Sequence, residues 1–198
     1  MSIWPYLATG TTRTIRVMKR LTPRQIEFVS QQPLFFVATA DRDGRVNVSP
    51  KGMDTLRVLG EQRIVWLNLS GSGNETAAHV AATGRMTLMF MSMTEQPLIL
   101  RCYGTATVVH PRDERWPELI DLFPVLGGSR QIFDLHVDLV TTSCGSGVPV
   151  MSVESIRGDE QLEPFYAAMS TEELAAYWTK KNVTSLDGAP TGIFEDLE

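Results

Sequence analysis

Two short polar stretches contain the residue types that bind anions. Ser49-Pro50-Lys51-Gly52 places a lysine directly after a short alternating strand predicted over Arg45–Ser49. About twenty residues on, Gly71-Ser72-Gly73-Asn74-Glu75-Thr76 is a glycine-containing loop that leads into a predicted helix. If strand pairing brings the two together, the lysine and the amide groups at the helix N-terminus form an anion site. Because phosphate is the small anion most often bound in this way, the pair predicts a phosphate-bearing cofactor.

The residues of the second stretch have competing uses. Gly71 and Gly73 remove side chains where a ligand could touch the backbone, and the first amide groups of a helix lack internal partners. Ser72 stands three residues before Glu75, which is the spacing of a capping box and predicts a helix over 73–82. The carboxylate of Glu75 repels a phosphate unless it turns back into that box. A cap and a phosphate contact also compete for the Ser72 hydroxyl.

No other motif indicates a different chemistry. The sequence has no nucleophile elbow, no zinc-protease motif, no P-loop and no dinucleotide-binding glycine motif. The histidines His79, His110 and His136 lie on different predicted elements and share no ligand spacing. His136 stands between Asp134 and Asp138 on one strand face, which we interpret as a solvated polar face rather than a metal cluster. We therefore predict no metal site and no particular catalytic residue.

Composition restricts the class of protein. The chain has 198 residues, of which 43% are hydrophobic and 21% charged, as in an ordinary globular protein. A net charge of -5 argues against nonspecific binding to nucleic acid or to an acidic membrane. No apolar run approaches the roughly 18 residues of a membrane span. Cys102 and Cys144 are the only cysteines and have no metal-like spacing, which favours a reducing, cytoplasmic location.

The remaining sequence predicts mostly strands joined by hairpins. Six or seven antiparallel strands with a single inserted helix favour a small β-barrel over a doubly wound parallel sheet. The predicted strands are Leu34–Ala40, Arg45–Ser49, Thr55–Leu59, Arg63–Leu69, Met86–Ser92, Pro97–His110 (with a bend at Gly104) and Arg130–Val140. The predicted helices are Thr22–Gln31, the capped helix that Gly84 ends, Pro111–Phe123 and Thr171–Lys181.

The two ends of the chain are expected to lie outside this barrel. Met1–Ile26 contains five basic residues and no acidic one, a bias that is similar to an organellar transit peptide. We favour a simpler interpretation, in which Met18 is the natural start and residues 1–17 are an extension outside the fold. The expected division is therefore an N-terminal extension over 1–19, a barrel over 20–150, and a helical tail over 151–198 that packs on the barrel or on a dimer partner.

The order and spacing of several blocks resemble the pyridoxamine 5'-phosphate oxidase-like proteins, which have an FMN-binding split β-barrel. The resemblance runs from about residue 20 to residue 193 and implies a mainly β (α+β) fold. It also implies a homodimer that binds FMN in two equivalent clefts at the subunit interface, with hydride transfer at flavin N5. The blocks are Phe35–Ala40, Asp43–Gly52, Trp66–Thr76, Met86–Phe90, Leu100–Ala106, Thr142–Gly145 and Tyr177–Gly188.

The resemblance assigns roles to individual positions. Lys51 resembles the basic residue near the flavin, and Asn68 falls where the family has a small polar residue. Ser72 and Asn74 fall where the vitamin B6 oxidases carry a Ser-x-Lys that grips the FMN phosphate, so Asn74 replaces a lysine and one positive charge is lost. The predicted cofactor-binding residues are Ser49, Pro50, Lys51, Gly52, Asn68, Ser70, Gly71, Ser72, Gly73, Asn74 and Thr76.

The resulting hypothesis is an FMN-dependent oxidoreductase that acts on a small molecule. The tryptophan and arginine that bind flavin and substrate near the C-terminus of the true oxidases have no match here, which argues against vitamin B6 oxidation. Two alternatives stay open. One is a flavin- or haem-binding module without turnover, since the matching blocks contain no obvious acid or base. The other is a reductase that uses a deazaflavin.

Overall fold

The computed structural model describes residues 16–194, which form one curled antiparallel sheet with five short α-helices. The strands are β1 (Arg16–Met18), β2 (Leu34–Thr39), β3 (Asn47–Gly52), β4 (Leu56–Gly60), β5 (Arg63–Leu69), β6 (Arg85–Met91), β7 (Ile99–Val109) and β8 (Ser129–Ser143). The helices are α1 (Pro23–Ser30), α2 (Glu75–Thr83), α3 (Trp116–Ile120), α4 (Glu163–Ala167) and α5 (Thr171–Lys181), and a π-helical turn, Gly158–Leu162, precedes α4.

The connectivity of the sheet explains its curvature. Seven strands follow the order β3-β2-β6-β7-β8-β5-β4, and β1 pairs separately with β8. The outermost strands, β3 and β4, are joined by residues 53–55 alone. Such a linker spans at most about 14 Å, whereas seven strands laid flat would separate the two edges by about 29 Å. The sheet must therefore curl, and the predicted mainly β, antiparallel split barrel is confirmed.

Two hydrophobic clusters lie on opposite faces of the sheet. The larger one fills the barrel, where the fully buried ring of Trp66 stacks on Phe133 with 4.7 Å between centroids and meets Phe35 edge-on. The smaller one lies between α3 and the outer face of β5 and β8, and includes Leu67 and Ile132. Because β5 contributes to both clusters, its residues 64–68 are buried without a break. Because it is packed on both faces, β5 is a firmly held strand, and it contributes Asn68 to the site described below.

The predicted helix caps were correct at two helix ends and wrong at a third. Thr22 caps α1 and Gly84 ends α2 in the left-handed conformation, both as predicted, and Thr22 also forms a capping box with Gln25. The capping box of Ser72 and Glu75 was wrong. The N-cap of α2 is Asn74, which makes no side-chain capping bond. The Glu75 carboxylate instead accepts the backbone N–H of Leu186 at 2.9 Å, so α2 begins two residues later than expected.

The strand before the lysine was predicted too short, and the helix after β7 too long. β3 extends to Gly52, so Lys51 lies inside the strand rather than after it. Of the helix expected over Pro111–Phe123, only α3 forms. The bend predicted at Gly104 is confirmed by a shift of register between β7 and β8 at Tyr103 and Gly104. Helix α5 has the predicted bounds.

The segments outside the barrel make specific contacts with it. Residues 1–15 of the predicted extension lie outside the described residues, and β1 follows them, pairing with Val140–Thr142. At the other end, the segment after α5 contacts the start of α2 through the Leu186 amide and Glu75, and Asp187 pairs with Arg45, which precedes β3. No helix between residues 16 and 194 is long and apolar enough to cross a bilayer.

Candidate functional site

Lys51 lies on the face of β3 that turns toward the barrel. Its neighbours Val48 and Pro50 are exposed, whereas the Lys51 ammonium lies 5.5 Å from the centroid of the buried Trp66 ring, within the range of a cation–π contact. Burial, and secondarily the positive charge of Arg130, lowers the pKa of Lys51 from 10.5 to about 8. The lysine is therefore charged at neutral pH but held in a poorly solvated place, where an anion would stabilise it.

Arg130 is a second cation, next to the glycine-containing loop, and it is more deeply buried than Lys51. It lies at the beginning of β8 and only 3% of its surface is exposed. Its Nη1 donates to the carbonyl oxygen of Gly73 at 3.0 Å, while its buried Nε has no partner. Burial lowers the pKa of Arg130 from 12.5 to about 10, against the opposing influence of Tyr166 and Tyr177. No carboxylate within residues 16–194 forms an ion pair with it or with Lys51.

A buried pair of side-chain amides lies between the stacked Trp66 and Phe133 rings and the loop of residues 71–74. Asn68 of β5 and Gln131 of β8 are register partners, two residues beyond the Trp66–Phe133 pair. Asn68 Nδ2 donates to Gln131 Oε1 at 3.3 Å, and the buried Nε2 of Gln131 is left without a partner. The pair therefore presents an unused hydrogen-bond donor, one residue along β8 from Arg130.

The loop between β5 and α2 is held by its carbonyl groups, which leaves its amide groups unused. Arg130 binds the Gly73 carbonyl, and Asn182 Nδ2 donates to the Gly71 carbonyl at 2.9 Å. Within the described chain, the amide groups of residues 71–73 donate no hydrogen bond. A Cβ added at Gly71 would meet nothing within 4 Å, so the space beside this backbone is open. The loop thus has free donors facing accessible space, as an anion site requires.

Some of the predicted residues already have partners in the protein. The Ser70 hydroxyl donates to the Gly128 carbonyl at 2.8 Å and accepts from Trp178 Nε1 at 2.7 Å. Asn74 Nδ2 donates to the Asn182 carbonyl at 3.3 Å, and Asn74 Oδ1 is buried without a partner. Thr76 accepts from Asn47 of β3 at 3.3 Å, a bond that ties the strand of the lysine to the start of α2.

The structure brings some of the predicted site residues close together and leaves others apart. Asn68 bonds Gln131, the loop bonds Arg130 through the Gly73 carbonyl, and Lys51 lies close enough to Arg130 for that positive charge to lower its pKa. Pro50 is exposed on the opposite side of β3, and Gly52 lies at the strand end, where its carbonyl accepts the Thr55 hydroxyl at 2.8 Å. Ser49 is partly buried on the same side as Lys51, and Ser72 is exposed at the loop tip.

Sequence reasoning missed five residues around the loop. Arg130 and Gln131 are two polar residues at the beginning of an otherwise alternating strand, and that departure from the pattern was the available signal. The other three come from the tail, where no periodicity singles them out. They are Tyr166, Trp178 and Asn182.

Comparisons with known proteins agree with the fold. Residues 21–144 match the family model described as pyridoxamine 5'-phosphate oxidase. The chain is 32% identical over 180 residues to the pyridoxamine 5'-phosphate oxidase family protein ustO of Aspergillus flavus, which covers 83% of this chain and 72% of that protein. The chain therefore belongs to the pyridoxamine 5'-phosphate oxidase family.

Solved structures resemble the chain more distantly. A putative pyridoxamine 5'-phosphate oxidase of Lactobacillus delbrueckii has a TM-score of 0.49 and 23% identity, over 62% of this chain and 94% of that one. A HupZ protein of Group A Streptococcus has a TM-score of 0.46 and 19% identity, over 60% of this chain and 91% of that one. Both scores lie below 0.5, and the family assignment rests on the sequence matches.

Proposed function

We propose that the protein is an FMN-dependent oxidoreductase that acts on a small molecule. The observation that carries the proposal is a pair of cations, the partly buried Lys51 and the buried Arg130, with no carboxylate partner in the described chain, beside a loop with unused amide groups. Burying positive charge without a counter-ion is costly, so an arrangement of this kind favours binding of an anion. Membership of a family named for a phosphate-bearing substrate is consistent with this reading.

The unpartnered polar atoms also suit this cofactor. Arg130 Nε and Gln131 Nε2 are buried donors, whereas Asn74 Oδ1 and Asn182 Oδ1 are buried acceptors. Phosphate oxygens or a carbonyl would satisfy the donors, but only a group with its own N–H or O–H would satisfy the acceptors. FMN carries a phosphate, ring carbonyl groups and ribityl hydroxyl groups, and therefore offers partners of both kinds. Inorganic phosphate offers mainly acceptors and fits less well.

In this proposal the protein binds and the flavin reacts. The loop of residues 71–74, with Lys51 and Asn68, would hold the cofactor, and the buried, stacked aromatic rings would keep water from it. When bound, FMN would supply hydride transfer at its N5 atom. The chain would then contribute orientation and exclusion of water.

The visible spectrum of the purified protein tests the proposal. A yellow protein with the absorbance bands of oxidised flavin, whose cofactor is FMN by chromatography after denaturation, supports it. A Soret band would indicate haem instead, and a bound deazaflavin would move the chain to that class of reductase. A colourless protein that takes up no added FMN would refute the proposal. Bleaching by NAD(P)H, followed by reoxidation, separates an enzyme from a flavin-binding module.

FMN affinity should depend on pH through Lys51. Because its pKa is lowered to about 8, the ammonium is charged at pH 7 and loses its proton as the pH rises through that value. The FMN phosphate is already doubly charged there, since its second pKa is about 6. We therefore expect the dissociation constant to change little near pH 7 and to increase as the pH rises through 8. Flavin fluorescence titrations measure this, and Lys51→Ala should remove the dependence.

We also propose that the protein is a cytoplasmic homodimer. The supporting feature is the edge strand β3, where Val48 on the outer face and Val46 just before the strand have 59% and 70% of their surfaces accessible. Apolar side chains beside an unpaired strand edge favour association with another chain. Sedimentation of the purified protein at micromolar concentration tests the dimer, and a monomer would contradict it.

A further inference from the structure

Arg130 is a buried charge that the described protein leaves uncompensated. Its neighbours Tyr166 and Tyr177 bond each other through their hydroxyl groups at 3.3 Å. Its single hydrogen bond goes to a backbone carbonyl, and no carboxylate pairs with it between residues 16 and 194. Arginine is kept in such places where a planar donor fork binds carboxylate or phosphate. The missing counter-ion therefore points to a ligand.

Two nitrogen atoms of the Arg130 guanidinium have no hydrogen-bond partner in the described chain. Nη1 holds the Gly73 carbonyl, which leaves Nε, enclosed and without a partner, on the same guanidinium. Nη2 makes no hydrogen bond to any described residue either, and it is not fully enclosed. The guanidinium thus contacts the loop whose amide groups are unused, just before the start of α2. Positive charge and unused backbone donors therefore belong to the same loop region.

The loop also lacks the charge that the resemblance leads one to expect. Asn74 occupies the position of a phosphate-gripping lysine, and its side chain is turned to the Asn182 carbonyl. We propose that Arg130 is the cationic ligand of the cofactor phosphate, supplying from β8 the positive charge that the loop lacks at Asn74. This inference rests on the proposed FMN function. Arg130 stays charged at pH values where Lys51 is neutral, because burial leaves its pKa at about 10.

The test compares FMN with riboflavin, which has the same ring and ribityl chain but no phosphate. Apoprotein is titrated with each flavin, and the ratio of the two dissociation constants measures the contribution of the phosphate. Arg130→Met should weaken FMN binding roughly 10- to 100-fold, as expected for one charge-assisted contact, and leave riboflavin almost unchanged. Arg130→Lys should lose less, because the charge is kept. The matched control is Arg63→Met, which removes an arginine paired with Asp134 at 3.0 Å on another part of the sheet.

The outcomes separate this inference from the proposed function. Equal weakening of FMN and riboflavin by Arg130→Met would mean that the arginine only positions Gly73, and would overturn the inference. A wild-type protein that binds neither flavin would refute the proposed function itself. If Arg130→Met does not fold, Lys51→Ala gives an independent measurement, because it leaves Arg130 as the principal side-chain cation. That variant should still prefer FMN to riboflavin, and loss of the preference would overturn the role of Arg130.

Discussion

Replacing Lys51 with alanine is expected to weaken FMN binding by about 1.5–3 kcal/mol, the usual contribution of a hydrogen bond to a charged group. The ammonium lies over the Trp66 ring and has no carboxylate partner in the described chain. An anionic cofactor would therefore be its counter-ion. The dissociation constant of the variant, measured by flavin fluorescence at pH 7, gives the difference directly.

The same substitution should not destabilise the apoprotein. Because burial lowers the pKa of Lys51, the charged form is less favourable in the folded chain than in the unfolded chain, and its removal relieves that cost. A melting temperature equal to or above that of wild type is expected without flavin. Lys19→Ala, at an exposed lysine, is the control for a general loss of positive charge. An unchanged FMN affinity in Lys51→Ala would remove Lys51 from the site.

Gly104→Ala is expected to destabilise the protein by about 3 kcal/mol, at the upper end of the usual cost of overpacking. At this bend in β7 an added Cβ would collide with the backbone carbonyl of His136 on β8 and would come within 3.1 Å of Val137 Cα. Both obstacles are main-chain atoms of the neighbouring strand, so no side-chain rotation can relieve the clash. Urea denaturation of wild type and variant measures the change in the free energy of unfolding.

Gly147→Ala provides the matched comparison. Gly147 lies in the loop after β8, where an added Cβ meets nothing within 4 Å and the backbone does not have a positive φ. Its unfolding free energy should stay within about 0.5 kcal/mol of wild type, as for most surface substitutions. Similar losses in both variants would show that the close approach of β7 and β8 at Gly104 is not what makes the glycine necessary.

Local sequence signals predicted the elements whose cause is local. The β-branched and aromatic residues of β2 and the Thr22 cap are local features of the sequence, and both predicted their elements correctly. The end of β3 was misplaced because a proline lacks the N–H that an interior strand needs. Pro50 is tolerated because β3 is an edge strand, which is a property of the whole sheet order. That order cannot be derived from five or six neighbouring residues.

The site shows the same division between local and distant causes. Lys51 and the glycine-containing loop carry recognisable residue types, and a resemblance of spacing drew attention to them. The Ser72–Glu75 capping box failed because Glu75 instead binds the amide of Leu186, which is 111 residues away in sequence. Arg130 reaches the loop from β8, 57 residues after Gly73. Neither partnership has a local signal, because each depends on how the curled sheet and the tail come together.

The contacts between the tail and the loop have a thermodynamic consequence. Trp178 bonds Ser70, Asn182 bonds the Gly71 carbonyl, and the Leu186 amide bonds Glu75. The residues that would surround a bound phosphate are therefore fixed partly by the last described part of the chain. Coupling between two such elements is reciprocal. If the docked tail strengthens ligand binding by a given free energy, the bound ligand stabilises the docking of the tail by the same amount. The C-terminal segment and the cofactor loop would therefore be stabilised or lost together.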